Sequence, residues 1–284
     1  MNASDIEQRA SAAYLGLALG DALGATVEFM TPREIKVQYG VHKELIGGGW
    51  LKLKAGQVTD DTTMSLALGE AIVVQQAIEP RAIAAAFDAW MRAKPVDIGN
   101  TVRRGILHFR ISGEYAVPPN EHDAGNGACM RVLPVALATF GQHPEWIAQA
   151  VALQAHLTHN NPLSDAGTLC VVQMIQGALA GASKRELLFG PVRALIEHHP
   201  QFEFRQRRAD NPSGYIVHTL RAVFQAFFDS DSFEGCLVEV VNRGGDADTS
   251  GAIAGMIAGA HYGLHALPRR WLNALDQQIA RRCR

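Results

Sequence analysis

Two rows of glycine constrain this chain more than any other feature. Gly16, Gly20 and Gly24 recur every four residues in one apolar segment, and Gly251, Gly255, Gly259 and Gly263 do so in another. Residues at i and i+4 share one face of an α-helix. Glycine costs a helix about 1 kcal/mol per residue relative to alanine. A row of it therefore points to the close approach of a second helix or of a ligand. Close helix packing is the simpler reading, because small residues permit it generally. Leu15, Leu19 and Leu23 repeat at the same interval on a neighbouring face of the first segment.

Helical patterning continues over 62–77, 80–91, 98–109, 128–140, 144–157, 164–181, 184–198, 213–228, 232–241, 249–263 and 268–281. Strict period-two alternation is nearly absent, and neither a βαβ rhythm nor a solenoid repeat is present. The glycine-rich stretch 40–58 reads as a loop with a short hairpin, and 112–127 as turn-rich. No linker divides the chain, so one all-α domain over residues 1–284 is expected. Hydrophobic residues make up 48% and aromatics only 7%, so the core has to be built from Ala, Leu, Ile and Val.

The net charge of -2 gives no reason to expect nucleic acid or an anionic membrane as partner. Arg205, Arg207 and Arg208 read as a solvated loop. The 4 cysteines lack metal-ligand spacing, which fits reduced thiols in a cytoplasmic protein. The polar N-terminus is no signal peptide, and no apolar run reaches the roughly 18 residues of a membrane span. A monomer is expected.

Chemistry concentrates in two acidic segments. Thr59-Asp60-Asp61-Thr62 and Asp246-Ala247-Asp248-Thr249 each stand where a loop enters an apolar helix. Either one alone reads as an N-cap. One cap needs one side chain, however, and each segment offers several oxygens. Helices apolar nearly all round are buried, so these carboxylates lie near the core. If the two helix starts meet, like charges oppose joint ionisation and divalent cations relieve it. Oxygen donors without Cys or His suit Mg²⁺ or Mn²⁺ rather than zinc.

With these segments the chain resembles the ADP-ribosylglycohydrolase family over nearly its whole length. The likeness is carried by LGLALGDALGATVEF (15–29), TDDTTMSLAL (59–68), GNGACMR (125–131) and GGDADTSGAIAG (244–255), in that order. Further stretches, including KPVDIGNTVRRGI and LTHNNPLSDA, are similar to the bacterial branch acting on ADP-ribosylated dinitrogenase reductase. The resemblance implies an all-α fold with a binuclear metal site in a central cleft, holding two Mn²⁺ with Mg²⁺ as an alternative. The implied reaction is removal of ADP-ribose from an arginine side chain. Other ADP-ribosylated proteins as targets, or a non-catalytic ADP-ribose binder on the same fold, are the alternatives.

By the same resemblance, Thr59, Asp60, Asp61, Asp246, Asp248 and Thr249 would hold the metals. Asp97 and Glu28 are the catalytic candidates, Glu28 at the rim of the metal site. Asn100, Glu121, Gly125, Asn126, Gly127, Met130, Arg131, His159 and Tyr215 would line the ADP-ribose cleft. Read alone, Asp97 is an N-cap, His159 a loop histidine, Gly125–Gly127 a tight turn, and Met130 and Tyr215 packing residues. The resemblance also implies control by a PII-type signal protein, with any membrane association through a partner rather than by insertion. The glycine rows are expected to bring Glu28 and Asp246/Asp248 to one site.

Overall fold

Both glycine rows lie on long helices buried along most of their length in the computed structural model, which describes residues 3–284. In chain order the helices are α1 (Ala3–Gly24), α2 (Pro32–Tyr39), α3 (Asp60–Gln75), α4 (Pro80–Arg92), α5 (Asn100–Ser112), α6 (Leu133–Ala138), α7 (Pro144–Ala155) and α8 (Pro162–Leu179). They continue with α9 (Lys184–Leu187), α10 (Arg193–His198), α11 (Ile216–Asp229), α12 (Phe233–Val241), α13 (Ala247–Tyr262), α14 (Arg269–Ala274) and α15 (Gln277–Arg282). Among the described residues there is no β-strand; Gly48–Leu53 and Gly125–Tyr215 form isolated bridges. The fold is all-α, as expected.

The α1–α13 pair is the axis of the molecule. Every position of α13 from Ala247 to Ala260 is buried, as is α1 from Leu15 to Gly24. A methyl group on Gly16 would lie 2.2 Å from the carbonyl oxygen of Gly255, and one on Gly20 2.0 Å from that of Gly251. One on Gly24 would lie 2.2 Å from the carbonyl oxygen of Ala247. No side chain fits at these spacings, which is what the glycines provide. The pairings run down one helix as they run up the other, so the two are antiparallel. The end of α1 therefore meets the start of α13, and Glu28 comes to lie beside Asp246 and Asp248. Gly263 does not belong to the row: it stands past the helix at a φ of +79° and ends it.

One hydrophobic core connects this pair to the surrounding helices, from Ala12 to Cys283. All four cysteines are free and buried. Among the described residues no helix is long and apolar enough to cross a membrane. Three helical stretches are shorter than their patterns predict. Over 128–140 only α6 forms, because the chain first turns tightly at Asn126, whose carbonyl accepts from the N–H groups of Cys129 and Met130. Over 184–198 a π-helical turn at Leu188–Val192 separates α9 from α10; its Pro191 has no N–H for the ladder. Over 268–281 the chain breaks at Leu275, and Asp276 caps α15. The 40–58 loop carries a single bridge rather than a hairpin.

Candidate active site

Neither acidic segment caps its own helix. Thr59, at the N-cap of α3, and Asp246, at that of α13, make no side-chain capping hydrogen bond. The free N–H groups of α3 are met from α1 instead. The buried Asp21 carboxylate accepts from the N–H of Thr59 at 3.0 Å and of Thr62 at 3.1 Å. It also accepts from their hydroxyls at 2.9 Å and 2.5 Å. With the cap supplied from outside, Asp60 is free to face the cleft and Asp61 to lie just beneath it. The sequence reading passes over Asp21, although it is the one charged residue between Ala10 and Val27.

The two helix starts do meet. Asp61 Oδ2 lies 3.3 Å from the Thr59 hydroxyl oxygen and 3.5 Å from that of Thr249. Glu28, Asp246 and Asp248 each offer a carboxylate oxygen, all within 4.8 Å of one another. Glu28 is thus part of the carboxylate group itself rather than only at its rim. Neighbours hold the remaining oxygens: Trp50 Nε1 donates to Glu28 Oε2 at 2.6 Å, Asn126 Nδ2 to Asp246 Oδ2 at 2.6 Å, and the Gly99 N–H to Asp60 Oδ2 at 3.3 Å. Asp61 Oδ1 is buried without a partner.

Such crowding opposes charge. Burial, reinforced by the neighbouring carboxylates, raises the pKa of Glu28 to about 8 and of Asp60 to about 7. The same causes raise Asp61 and Asp248 well above the carboxylate range. Asp246 is raised by burial and partly restored by its hydrogen bond from Asn126.

Above these carboxylates opens a cleft of about 680 Å³. Asp97, Asn100, Gly125, Asn126, Gly127, Met130 and His159 line it, with Glu28, Asp60, Asp246, Asp248 and Thr249. Thr59 and Asp61 are buried beneath it. Asp97 is not the N-cap of α5, a position held by Gly99. Its Oδ1 accepts from the N–H of Ile98 at 2.7 Å, and the carboxylate faces the cleft.

Three residues expected at the cleft are elsewhere. Arg131 is fully buried and does not line the cleft, although the preceding Met130 does. Its guanidinium donates to Gln154 and Thr158 and lies over the ring of Phe87. Glu121 is exposed in the 112–127 loop, where the neighbouring Asn120 is held by the Asn160 carbonyl and the Asn161 side chain. Tyr215 pairs with Gly125 through its backbone, and its ring stands edge-on to His218.

Arg131 is linked through Thr158 to His159 in the cleft lining. Its Nη2 donates to the Thr158 hydroxyl oxygen at 2.9 Å, and that oxygen is hydrogen-bonded to His159 Nδ1 at 2.7 Å. With the hydroxyl as donor in that bond, the neutral imidazole carries its hydrogen on Nε2. Burial and the charges of Arg131 and Arg104 lower its pKa to about 3, which keeps it neutral. Nε2 is directed at Gly125 and Gly127, where a methyl group would come within 2.9 Å and 2.7 Å of the ring.

Comparison with known proteins places this site in a family. The profile of the ADP-ribosylglycohydrolases matches residues 2–284. The chain is 47% identical to the ADP-ribosyl-[dinitrogen reductase] glycohydrolase of Rhodospirillum rubrum, over 100% of this chain and 96% of that one. It is 34% identical to an ADP-ribosylarginine hydrolase of Pseudomonas putida, over 93% of this chain and 73% of the relative. Among solved structures, an ADP-ribosylglycohydrolase-related protein superposes with a TM-score of 0.86 at 34% identity, covering 99% of this chain and 97% of that one. The match spans the helix pair and both acidic segments alike: the chain belongs to the ADP-ribosylglycohydrolase family.

Proposed function

We propose that this protein hydrolyses the N-glycosidic bond between ADP-ribose and an arginine side chain, with ADP-ribosylated dinitrogenase reductase as its target. The carrying observation is a carboxylate-floored cleft in a chain 47% identical, end to end, to an enzyme named for that reaction. The residues fit a pair of divalent cations. Their donors are all oxygens, Asp61 Oδ1 has no other partner, and no Lys or Arg lines the cleft to neutralise them. Thr59, Asp60, Asp61, Asp246, Asp248 and Thr249, with Glu28, would hold two Mn²⁺, or Mg²⁺ in their place. Held there, such ions would neutralise the carboxylates and would orient the ribose hydroxyls.

In the reaction the bond from the anomeric carbon to the guanidino nitrogen breaks, and a bond from that carbon to a water oxygen forms. Positive charge builds on the ribose meanwhile, as in other glycoside hydrolyses. Asp97, in the cleft lining, takes the water proton and passes it to the departing nitrogen, so that arginine leaves as its guanidinium. The N–H groups exposed by the Gly125–Gly127 turn and the His159 Nε2–H offer donors to the pyrophosphate. A monomer in the cytoplasm, controlled through a PII-type signal protein, belongs to the same reading; gel filtration and co-purification with that protein test it.

The decisive experiment incubates purified protein and Mn²⁺ with ADP-ribosylated dinitrogenase reductase. ADP-ribose release is expected, with Asp97→Asn slower by about 10²- to 10⁴-fold while ADP-ribose still binds. Equal rates for wild type and variant overturn the assignment.

A further inference from the structure

The mouth of the cleft carries two aromatic side chains that the fold leaves uncovered. Phe29 is 65% exposed and Trp50 53% exposed, and both line the cleft. Their ring centroids lie 5.5 Å apart at 44°.

Neither ring is there because its backbone is loosely held. Phe29 adopts a φ of +63°, rare for a bulky residue, and its N–H donates to the Gly245 carbonyl at 2.7 Å. Trp50 follows Gly47, Gly48 and Gly49, all at positive φ. Gly48 and Leu53 exchange two hydrogen bonds of 2.8 Å, closing that loop. Gly49 packs so tightly on the end of α1 that a methyl group would lie 2.4 Å from the Ala25 carbonyl oxygen. The indole Nε1–H is then tied to Glu28. A rare φ at Phe29 and a glycine-closed loop before Trp50 thus present two apolar rings to solvent, at the edge of the carboxylate group.

Beneath the rings the cleft lining includes Glu28, Asp60, Asp97, Asp246 and Asp248, without a lysine or arginine. Exposed π-faces beside a negative field suit a planar cation. A guanidinium stacks on aromatic faces while its N–H groups, in the plane, remain available to carboxylates. We propose that Phe29 and Trp50 form the leaving-group subsite, holding the guanidinium of the modified arginine by stacking. This rests on the arginine-directed hydrolysis proposed above, and it makes the two rings specificity determinants for arginine over other ADP-ribosylated side chains.

Agmatine, a bare guanidinium probe, and ADP-ribose separate the two halves of the cleft as inhibitors of the Mn²⁺-loaded protein. Phe29→Leu, which touches no carboxylate, is expected to weaken agmatine inhibition about tenfold and to change ADP-ribose inhibition less than twofold. Trp50→Leu should do the same, and Trp50→Phe, which keeps a ring but loses the bond to Glu28, should recover most of the agmatine effect. Unchanged agmatine inhibition in Phe29→Leu, or equal weakening towards both inhibitors, overturns the stacking subsite. If Trp50→Leu does not fold, Phe29→Leu decides alone. Absence of hydrolysis by the wild type, by contrast, overturns the function and is read in a separate assay.

Discussion

Thr158 never reaches the cleft, yet one hydroxyl there joins the buried Arg131 to His159. Replacing it with valine keeps the shape and removes both bonds. Arg131 loses an acceptor in the interior, and His159 loses the donor that fixes its tautomer. A buried group left unpaired costs about 1–3 kcal/mol, so Thr158→Val should lower the melting temperature by several degrees. It should also weaken ADP-ribose binding by about three- to tenfold, the worth of one hydrogen bond. Thr158→Ser should restore both. Nitrogen NMR separates orientation from mere stability: wild type shows one neutral imidazole protonated on Nε2, and Thr158→Val a mixture of tautomers. An unchanged His159 spectrum in Thr158→Val contradicts the relay. Arg131 itself was visible in GNGACMR as a motif residue, but its depth was not. Whether a loop residue faces in or out depends on the tight turn begun at Asn126, which sequence patterning does not resolve.

For the helices, legibility follows period. Glycines at every fourth position on α1 and α13 predict a contact because nothing but close approach offsets their cost. Gly20→Ala tests it. The added methyl would lie 2.0 Å from a backbone carbonyl, and neither helix can yield without parting along its length. Overpacking of this kind costs about 1–3 kcal/mol and occasionally more; backbone on both sides puts Gly20→Ala at the upper end. Chemical denaturation should show that loss, and Mn²⁺ affinity should fall with it, because the same pair places Glu28 beside Asp246 and Asp248. Gly190→Ala is the control. A methyl there meets nothing within 4 Å and φ is not positive, so it should show none of the Gly20→Ala loss. Helix ends were less legible than helix cores. The breaks at Pro191 and Leu275 and the turn before α6 arise from backbone hydrogen bonding, which leaves little trace in apolar periodicity.

Across the whole molecule, the two acidic segments could be found one at a time from residue type and spacing. Their meeting is a property of tertiary structure, and so is the part of Asp21, which reaches α3 from α1. That assembly predicts how stability depends on pH. In the metal-free protein Glu28, Asp60 and Asp21 have pKa values raised to about 8, 7 and 6. From about pH 4 to 8 the folded chain thus keeps protons that the unfolded chain has released. Stability is then lost as pH rises through the folded values. His159 acts the other way. With its pKa lowered to about 3, the unfolded chain takes up the proton that the folded chain refuses, so stability falls as pH drops below about 6.5. Three raised carboxylates outweigh the one lowered histidine, so the metal-free protein should melt progressively lower from about pH 5 to pH 8. Mn²⁺ should reverse the alkaline limb, because the ions bind the deprotonated carboxylates. At a hundredfold excess over its dissociation constant a ligand adds about 2.7 kcal/mol, several degrees for a chain of this size. Thermal scans from pH 5 to 8, with chelator and then with Mn²⁺, give the fall and its reversal. A melting temperature flat across that range, and unmoved by Mn²⁺ at pH 8, means that the carboxylates are not the uncompensated charge that the fold makes them.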